Sequence, residues 1–310
     1  MKMLFTEDQL ALAETVRDYL AGTHGPEVLR RLDAEGNRDP AIWQGLVDMG
    51  LTGLLIPEDH GGLGMGLADA ALIAAECGRA CLAEPLVDTA FVGVPWLIAQ
   101  GKTEALDAIL AGTRTIALPH SANPWVADGA GTPLHSVDPL RNLVAAPSDV
   151  SDDPLLLNLG ALMSAAQLVG LADAMLAQAV EYAKIRTQFG QPIGAFQGIK
   201  HQLASCAVAI EFAKPVVWRA AQALQDGVES AAVHISHAKV AATDAAMLTS
   251  ETAIQVHGAM GYTYEVDLHF WMKRCWALAG AWGTRAFHLR RVDAAVLGGR
   301  LPIGPEHTFA

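Results

Sequence analysis

The sequence is poor in aromatic and in basic residues. Phe, Trp and Tyr make up 6% of the 310 residues, and 21 Lys and Arg stand against 33 Asp and Glu, for a formal net charge of −12. Proteins bind nucleic-acid backbones through clustered Lys and Arg, so this composition argues against a nucleic-acid partner. The chain is nevertheless 52% hydrophobic, and its richness in Ala and Leu is typical of a helical bundle.

Cysteine is also scarce, with single residues at positions 77, 81, 206 and 275. Cys77 and Cys81 lie one helical turn apart among apolar residues, which favours buried thiols in a reducing compartment over a disulfide or a metal site. No apolar signal core follows Met1-Lys2-Met3. We therefore expect a cytoplasmic protein.

The spacings of a metal site or a catalytic triad are missing as well. His234 and His237 lie three residues apart on one predicted helix, and the nearest acid on that face, Asp244, is two turns away. A zinc site needs a further ligand on the same face, so we assign no metal. No Ser-His-Asp or Cys-His arrangement has a supporting context.

The chain does contain helical periodicity, which is interrupted once. Residues 1–111 carry apolar residues at helical spacing and are predicted to form an N-terminal helical domain. Residues 112–154 are rich in Pro, Gly, Asp and Ser. They predict a reduced β segment or linker, since about forty residues are too few for a β domain. Residues 155–310 predict a C-terminal bundle of four long antiparallel helices.

The bundle helices are long and mostly apolar. Their predicted bounds are residues 155–185, 199–225, 229–257 and 266–296. Pro215 predicts a kink in the second helix. Polar residues such as Asn158 and Asp173 make the first helix too polar to span a membrane, so no membrane insertion is expected.

A stretch between the first two bundle helices contains more than a turn requires. It reads Arg186-Thr-Gln-Phe-Gly-Gln-Pro-Ile-Gly-Ala-Phe-Gln197. Gly190 and Pro192 alone would suffice for a turn. Arg186 and Gln188 go beyond it, so the stretch indicates a binding site for an anionic, planar ligand.

A second stretch, residues 255–262, places an amide and two glycines at the end of a helix. Helix capping accounts for Gly258. Gly261 and Gln255 would suit a backbone that a ligand approaches closely. Capping and ligand binding both remain open for this stretch taken by itself.

Together these stretches resemble the acyl-CoA dehydrogenase family. Three signatures match in order, namely Arg186-x-Gln188-Phe189-Gly190-x-Pro192-Ile193-x-x-Phe196-Gln197, Gln255-x-x-Gly258-x-x-Gly261-Tyr262, and Met272-Lys273-Arg274 through Gly283-Thr284. The resemblance implies a mainly α fold with an N-terminal helical domain, a middle β domain that is strongly shortened here, and a C-terminal four-helix bundle. It also implies FAD at a subunit interface.

The resemblance assigns a set of residues to FAD. They are Arg186, Gln188, Phe189, Gln197, Gln255 and Gly258. It implies that the arginine reaches the pyrophosphate of a neighbouring subunit's FAD, that the phenylalanine packs on the adenine side, and that the glycine loop lines the same half. A guanidinium group binds a pyrophosphate bidentately, and a phenyl ring offers a stacking face, so the residue chemistry agrees. The family's second loop glycine is Ala259 here.

The resemblance breaks down at the catalytic base. Family members remove the substrate α-proton with a glutamate immediately before the Gly-Thr that matches Gly283-Thr284, or with one early in the first bundle helix. Those positions hold Trp282 and Gly160 here, and neither residue can accept a proton. The Arg-Asp pair of the last segment reads Lys273-Arg274. The motifs with which the family's middle domain holds the flavin ring and the CoA are not found in this sequence.

These departures resemble the base-less subunit of heteromeric acyl-CoA dehydrogenases from actinobacterial steroid side-chain degradation. There, a larger paralogue with the catalytic glutamate and the β domain pairs with a degenerate subunit in an α2β2 assembly. The resemblance implies FAD-dependent α,β-dehydrogenation of an acyl-CoA that is bound mainly by the partner, with electron-transfer flavoprotein or a similar acceptor. This chain would complete the FAD site.

Two other interpretations stay open. The chain could be a scaffold or regulatory subunit without flavin, although both cofactor stretches are retained. It could also be a homomeric dehydrogenase with a displaced base, such as Glu251 or Glu265, although neither lies at a base position of the family.

Overall fold

The computed structural model describes residues 5–36, 38–129, 131–146, 150–301 and 304, and helices dominate it. The α-helices are α1 (Glu7–Thr23), α2 (Pro26–Glu35), α3 (Pro40–Asp48), α4 (Leu67–Arg79), α5 (Val94–Ala99), α6 (Leu106–Leu110), α7 (Pro154–Ile185), α8 (Gln197–Gln225), α9 (Ala231–His257), α10 (Leu268–Gly280) and α11 (Arg285–Val296). A π-helical turn, Val87–Gly93, leads into α5. The strands are β1 (Trp125–Ala127), β2 (Leu143–Ala145), β3 (Thr187–Gln188) and β4 (Gln191–Pro192).

Helix α1 begins with a capping box that the sequence specifies. The Thr6 hydroxyl accepts a hydrogen bond from the Gln9 backbone N–H (3.2 Å), and the Gln9 side chain accepts one from the Thr6 N–H (2.9 Å). These bonds satisfy two donors that a helix start would otherwise leave free. The stripe of Ala13, Val16 and Leu20 then faces the core.

The N-terminal helices dock on the bundle through glycines. A Cβ built on Gly170 of α7 would lie 1.8 Å from the Ala75 carbonyl oxygen of α4, and one on Gly78 would lie 2.1 Å from the Gln167 carbonyl oxygen. Only glycine allows such an approach of the two backbones. The N-terminal and C-terminal helices therefore share one hydrophobic core.

Helix α7 is the centre of the bundle. Asp153 caps it by accepting a hydrogen bond from the Leu155 N–H (2.8 Å), and Pro154 occupies its first turn. By length and composition α7 could cross a membrane, but 89% of its most apolar window is buried in the protein. It is the core helix of the bundle. Helix α8 continues through Pro215.

The middle segment is a two-stranded antiparallel ribbon, in which Val126 of β1 pairs with Val144 of β2. A buried ion pair between Asp138 and Arg274 of α10 ties it to the bundle, and Arg274 Nη1 also donates to the Leu82 carbonyl (2.7 Å). The acid that balances Arg274 therefore comes from the shortened segment and not from a neighbour on α10. The predicted mainly helical architecture is confirmed.

Candidate functional site

Residues 186–197 form a β-hairpin followed by a short 3₁₀ turn. Strand β3 pairs with β4, and the two loop residues, Phe189 and Gly190, have φ angles of +52° and +81°. Positive φ at both positions is the type I′ geometry that matches the twist of a hairpin. Glycine adopts it freely, whereas a phenylalanine there costs about 1–2 kcal/mol.

The Phe189 ring is presented to solvent at the tip of this hairpin. It is 93% exposed. Its one aromatic contact is an edge-on approach to Phe196, with ring centroids 6.2 Å apart. No contact among the described residues accounts for a large apolar ring in this strained and exposed position.

Arg186 ends helix α7 directly before the hairpin. Its backbone is fixed, because its N–H donates to Tyr182 O (2.9 Å) and its carbonyl accepts from the Ile193 N–H (2.8 Å). Its side chain is exposed, and its guanidinium makes no hydrogen bond or ion pair with any residue that the structure describes. Gln188 and Gln197 are exposed as well. The hairpin thus presents an unpaired cation and two free amides.

The second predicted stretch lies at the same end of the bundle. Helix α9 ends at His257, whose ring stacks on Tyr182 of α7 with centroids 4.2 Å apart. Gly258 has φ +60° and ψ −135°, a backbone region that essentially only glycine adopts, and a Cβ there would meet nothing within 4 Å. Gln255 is exposed. The six residues predicted to serve FAD therefore converge at one end.

These six residues fit the pyrophosphate and adenine portion of a flavin dinucleotide. An unpaired guanidinium suits a pyrophosphate, and the free face of Phe189 suits a base. Gly258 leaves the approach to its backbone open. All the side chains except glycine are exposed, so a ligand held by them would have one side open to solvent in the isolated chain.

The two base positions of the sequence analysis lie against each other, near the start of α7. Trp282 follows α10 and is 4% exposed, and a Cβ built on Gly160 of α7 would lie 2.0 Å from Trp282 Cδ2. The indole therefore occupies the space that any side chain at position 160 would need. Tryptophan and glycine at these positions are sterically complementary.

The backbone of Trp282 is held in a strained form by two polar side chains. Its φ is +57°, which is a genuine outlier for a bulky residue. Its N–H donates to Asn123 Oδ1 (3.1 Å), and its carbonyl accepts from His288 Nε2 (2.9 Å). Burial lowers the pKa of His288 to about 4. The ring is therefore neutral near pH 7. With Nε2 protonated, its Nδ1 lies 3.2 Å from the Ser236 oxygen, whose hydroxyl donates to the Ala232 carbonyl (2.9 Å).

A buried lysine fixes the chain just before Trp282. Lys239 of α9 is fully buried, and its Nζ donates to the carbonyls of Leu278 (2.6 Å) and Ala279 (3.2 Å) at the end of α10. Burial lowers the pKa of Lys239 to about 7. The lysine satisfies carbonyls that a helix end leaves without partners.

Little space remains beside the indole. The cavity that borders Trp282 has a volume of about 10 Å³, and Asn123, Trp125 and Val126 are among its lining residues. A volume of about 10–15 Å³ is needed for one water molecule. An acyl chain has no room there.

The other candidate residues lie elsewhere. Glu251 is exposed on α9, and Glu265 is exposed before α10. Helix α10 separates Glu265 from Trp282 by roughly 20 Å. Neither carboxylate belongs to the pocket that Trp282 fills.

The cysteines and the histidine pair have no site of their own. All four cysteines are free and buried, as predicted, and burial raises the pKa of Cys81 to about 12. His234 instead lies 3.5 Å from Arg219 (Nε2 to Nη2). Among the described residues, no group of three or more His, Cys, Asp or Glu could hold a metal ion.

Asn123, Lys239, His288 and Asp138 were not singled out in the sequence. Of these four, only Lys239 has a local signal, since it lies among small apolar residues of a helix. A lysine is almost never fully buried without partners, so its position indicates buried acceptors nearby. The other three act through residues far away along the chain, so no local pattern marks them.

Two family models match most of the chain. The model described as "Acyl-CoA dehydrogenase, N-terminal domain" matches residues 6–113, and "Acyl-CoA dehydrogenase, C-terminal domain" matches residues 155–297.

Two similar proteins come from Mycobacterium tuberculosis. Acyl-CoA dehydrogenase IpdE2 of Mycobacterium tuberculosis is 31% identical over 94% of this chain and 98% of its own length. Acyl-CoA dehydrogenase FadE34 of the same organism is 30% identical over 95% of this chain but only 48% of its own length, so it has about as much chain again outside the match.

Solved structures share the fold. They include the Tcur3481–Tcur3483 steroid ACAD G363A variant (TM-score 0.84, 22% identity, 96% of this chain and 99% of that chain) and the ChsE4–ChsE5 complex from M. tuberculosis (0.80, 20%, 96% and 99%). Butyryl-CoA dehydrogenase from Megasphaera elsdenii matches with a TM-score of 0.81 at 22% identity, over 96% of this chain and 100% of that chain. With both family models and a relative matched along nearly its whole length, this chain belongs to the acyl-CoA dehydrogenase family.

Proposed function

We propose that this chain is the base-less subunit of a heteromeric, FAD-dependent acyl-CoA dehydrogenase. It would complete the FAD site of a larger paralogue that carries the catalytic glutamate and binds most of the acyl-CoA. One contrast carries the proposal. Arg186 and Phe189 are exposed and unpaired at one end of the bundle, whereas Trp282 fills the space above Gly160 at the base position.

The roles of the residues follow from their chemistry. FAD, when bound, takes a hydride from the acyl chain while a base removes the α-proton. Arg186 would neutralise the pyrophosphate, Phe189 would cover the adenine, and Gln188, Gln197 and Gln255 would donate or accept hydrogen bonds. Since neither Trp282 nor Gly160 accepts a proton, the base has to come from another chain.

The relatives support a chain that acts beside a second unit. One structure with the same fold is the ChsE4–ChsE5 complex, and another is a steroid ACAD that is named for two proteins, Tcur3481 and Tcur3483. FadE34 has about as much chain again outside the match. An acyl-CoA with a steroid side chain is the substrate we propose on this basis, with electron-transfer flavoprotein or a similar acceptor and a cytoplasmic location.

The test is coexpression with a larger paralogue of the family and measurement of bound flavin. We expect the complex to be yellow and active and the chain alone to be colourless. Arg186→Ala in the complex removes a charge-assisted contact worth about 1.5–3 kcal/mol, so FAD affinity should fall by roughly 10- to 150-fold.

Arg114→Ala is the matched control, since Arg114 is also exposed but lies outside the hairpin. Its flavin content should equal that of the unchanged complex. Unchanged flavin in Arg186→Ala contradicts the assigned site. Oxidation of an acyl-CoA by the isolated chain contradicts the proposed division of labour, and a fully active complex in which FAD never contacts this chain would favour a scaffold.

A further inference from the structure

A second cleft lies at the end of the bundle opposite to the hairpin. It lies between the start of α9 and the end of α11, and the 27-residue α9 separates it from Gly258 by roughly 40 Å. Its volume is about 680 Å³. Small-molecule sites fall in the range of about 300–1,000 Å³, so the cleft is large enough for a ligand.

The charges that line this cleft are mostly positive. Arg290, Arg291 and Arg300 contribute three guanidinium groups, and Glu229 is the one carboxylate among the lining residues. This excess stands out in a chain with a net charge of −12. The remaining wall is largely apolar and includes Phe287.

Arg291 is only partly satisfied. Its Nη2 donates to Asn158 Oδ1 (2.9 Å) and its guanidinium carbon lies 5.9 Å from the centre of the Phe287 ring, but its Nη1 is buried and has no partner. Burial lowers the pKa of this side chain. A partly buried cation is costly, and a negative charge in the cleft would lower that cost without a bond to the buried Nη1.

The neighbouring groups are also available. The Arg290 side chain is exposed and makes no hydrogen bond or ion pair with the part of the chain that is described. Helix α9 begins here without a side-chain cap and without an acid in its first turn, although Ser230 stands at the cap position. The N–H groups of Ala231, Val233 and His234 already donate to the Val228 and Ser230 carbonyls, so it is the dipole of α9 that favours a negative charge here.

We propose that this cleft binds a phosphate ester with an apolar or aromatic body. The guanidinium groups of Arg290 and Arg291 would hold the phosphate, which guanidinium binds through paired hydrogen bonds. Phe287 and the aliphatic wall would hold the body. The cleft lies at the other end of the bundle from the hairpin.

The experiment is calorimetric titration of the purified protein with two probes, adenosine 3′,5′-bisphosphate and inorganic phosphate. We expect saturable binding of the bisphosphate, at least about fivefold tighter than phosphate because of the apolar wall. Arg290→Gln should weaken it by roughly tenfold. Arg291→Lys keeps the charge but loses the forked geometry, so it should weaken binding as well.

Arg285→Gln is the control, because Arg285 lies on the same helix but outside the cleft and pairs with Asp244 at the surface. It should bind both probes unchanged. Absence of saturable bisphosphate binding up to about 1 mM overturns the site. So does binding that Arg290→Gln leaves unchanged, and since Arg290 is exposed this variant will fold. Equal affinity for both probes overturns the role of the apolar wall.

Discussion

The hairpin and the Trp282 pocket show two ways in which one chain can treat its part of an active site. At the hairpin, Arg186 and Phe189 are exposed, and few internal contacts depend on them. At the pocket, Trp282 is held by Asn123, His288 and the surface of Gly160. The residues that we propose to bind FAD are exposed, whereas the residue at the family's base position is part of the core.

The largest expected effect comes from a substitution that disrupts the packing of the Trp282 pocket. Gly160→Ala places a methyl group inside the indole of Trp282, and overpacking of a core costs about 1–3 kcal/mol. We expect the free energy of unfolding to fall by about 3 kcal/mol, because helix α7 cannot shift away from α4. Urea denaturation measures this.

Gly22→Ala provides the control for that variant. Gly22 lies within α1, and a Cβ there meets nothing within 4 Å, so alanine should stabilise the helix by about 0.5–1 kcal/mol. The double variant Gly160→Ala/Trp282→Ala should lose less than the sum of its single variants. Additive losses would refute the direct contact.

The second effect concerns the pH dependence of stability that His288 of the Trp282 pocket produces. The folded pKa of His288 is about 4, mainly because of burial, against 6.5 in the unfolded chain. Protonation therefore favours unfolding. The neutral His288 ring makes its full contribution to the free energy of unfolding above about pH 6.5. This contribution is lost as the pH falls towards 4, and at pH 5 the loss is about 2 kcal/mol. His288→Gln cannot titrate, so its stability should decrease less between pH 6.5 and 5.

Thermal unfolding of both proteins across that pH range measures the difference. His24, whose pKa is also lowered to about 4 by burial, is present in both and cancels. Parallel pH profiles for the two proteins would show that the pKa of His288 is the same in the folded and unfolded states, which contradicts the lowered pKa.

The smallest effect comes from a substitution in the hairpin. Phe189→Asn replaces a strained residue by one that tolerates positive φ, so the isolated chain should gain about 1 kcal/mol. The flavin content of the complex should fall at the same time, since the stacking face is gone. A stability gain without loss of flavin would mean that Phe189 serves something other than FAD.

The sequence predicted the helices well and their tertiary contacts poorly. The periodicity placed the first bundle helix at 155–185, and it spans Pro154–Ile185. Predicting the hairpin as a binding stretch needed only the excess of Arg186 and Gln188 over turn chemistry. The contact of Trp282 with Gly160 joins residues that are far apart in the chain, and no periodicity encodes it.

The polar contacts between the middle segment and the last two helices could not be predicted from the sequence either. Arg274 was noted for the missing acid beside it, but its partner, Asp138, is supplied by the shortened middle segment. Asn123 comes from that segment too. A region that composition marks as a mere linker thus supplies groups that hold the last two helices.

The fit between Trp282 and Gly160 also sets the order in which this chain could regain a base. A glutamate at position 282 would replace the indole and face an empty space, so that step is open. A glutamate at position 160 is blocked while Trp282 remains. In any chain that carries this pair, a glutamate at position 160 therefore requires that Trp282 be replaced first, whereas a glutamate at position 282 needs one substitution only.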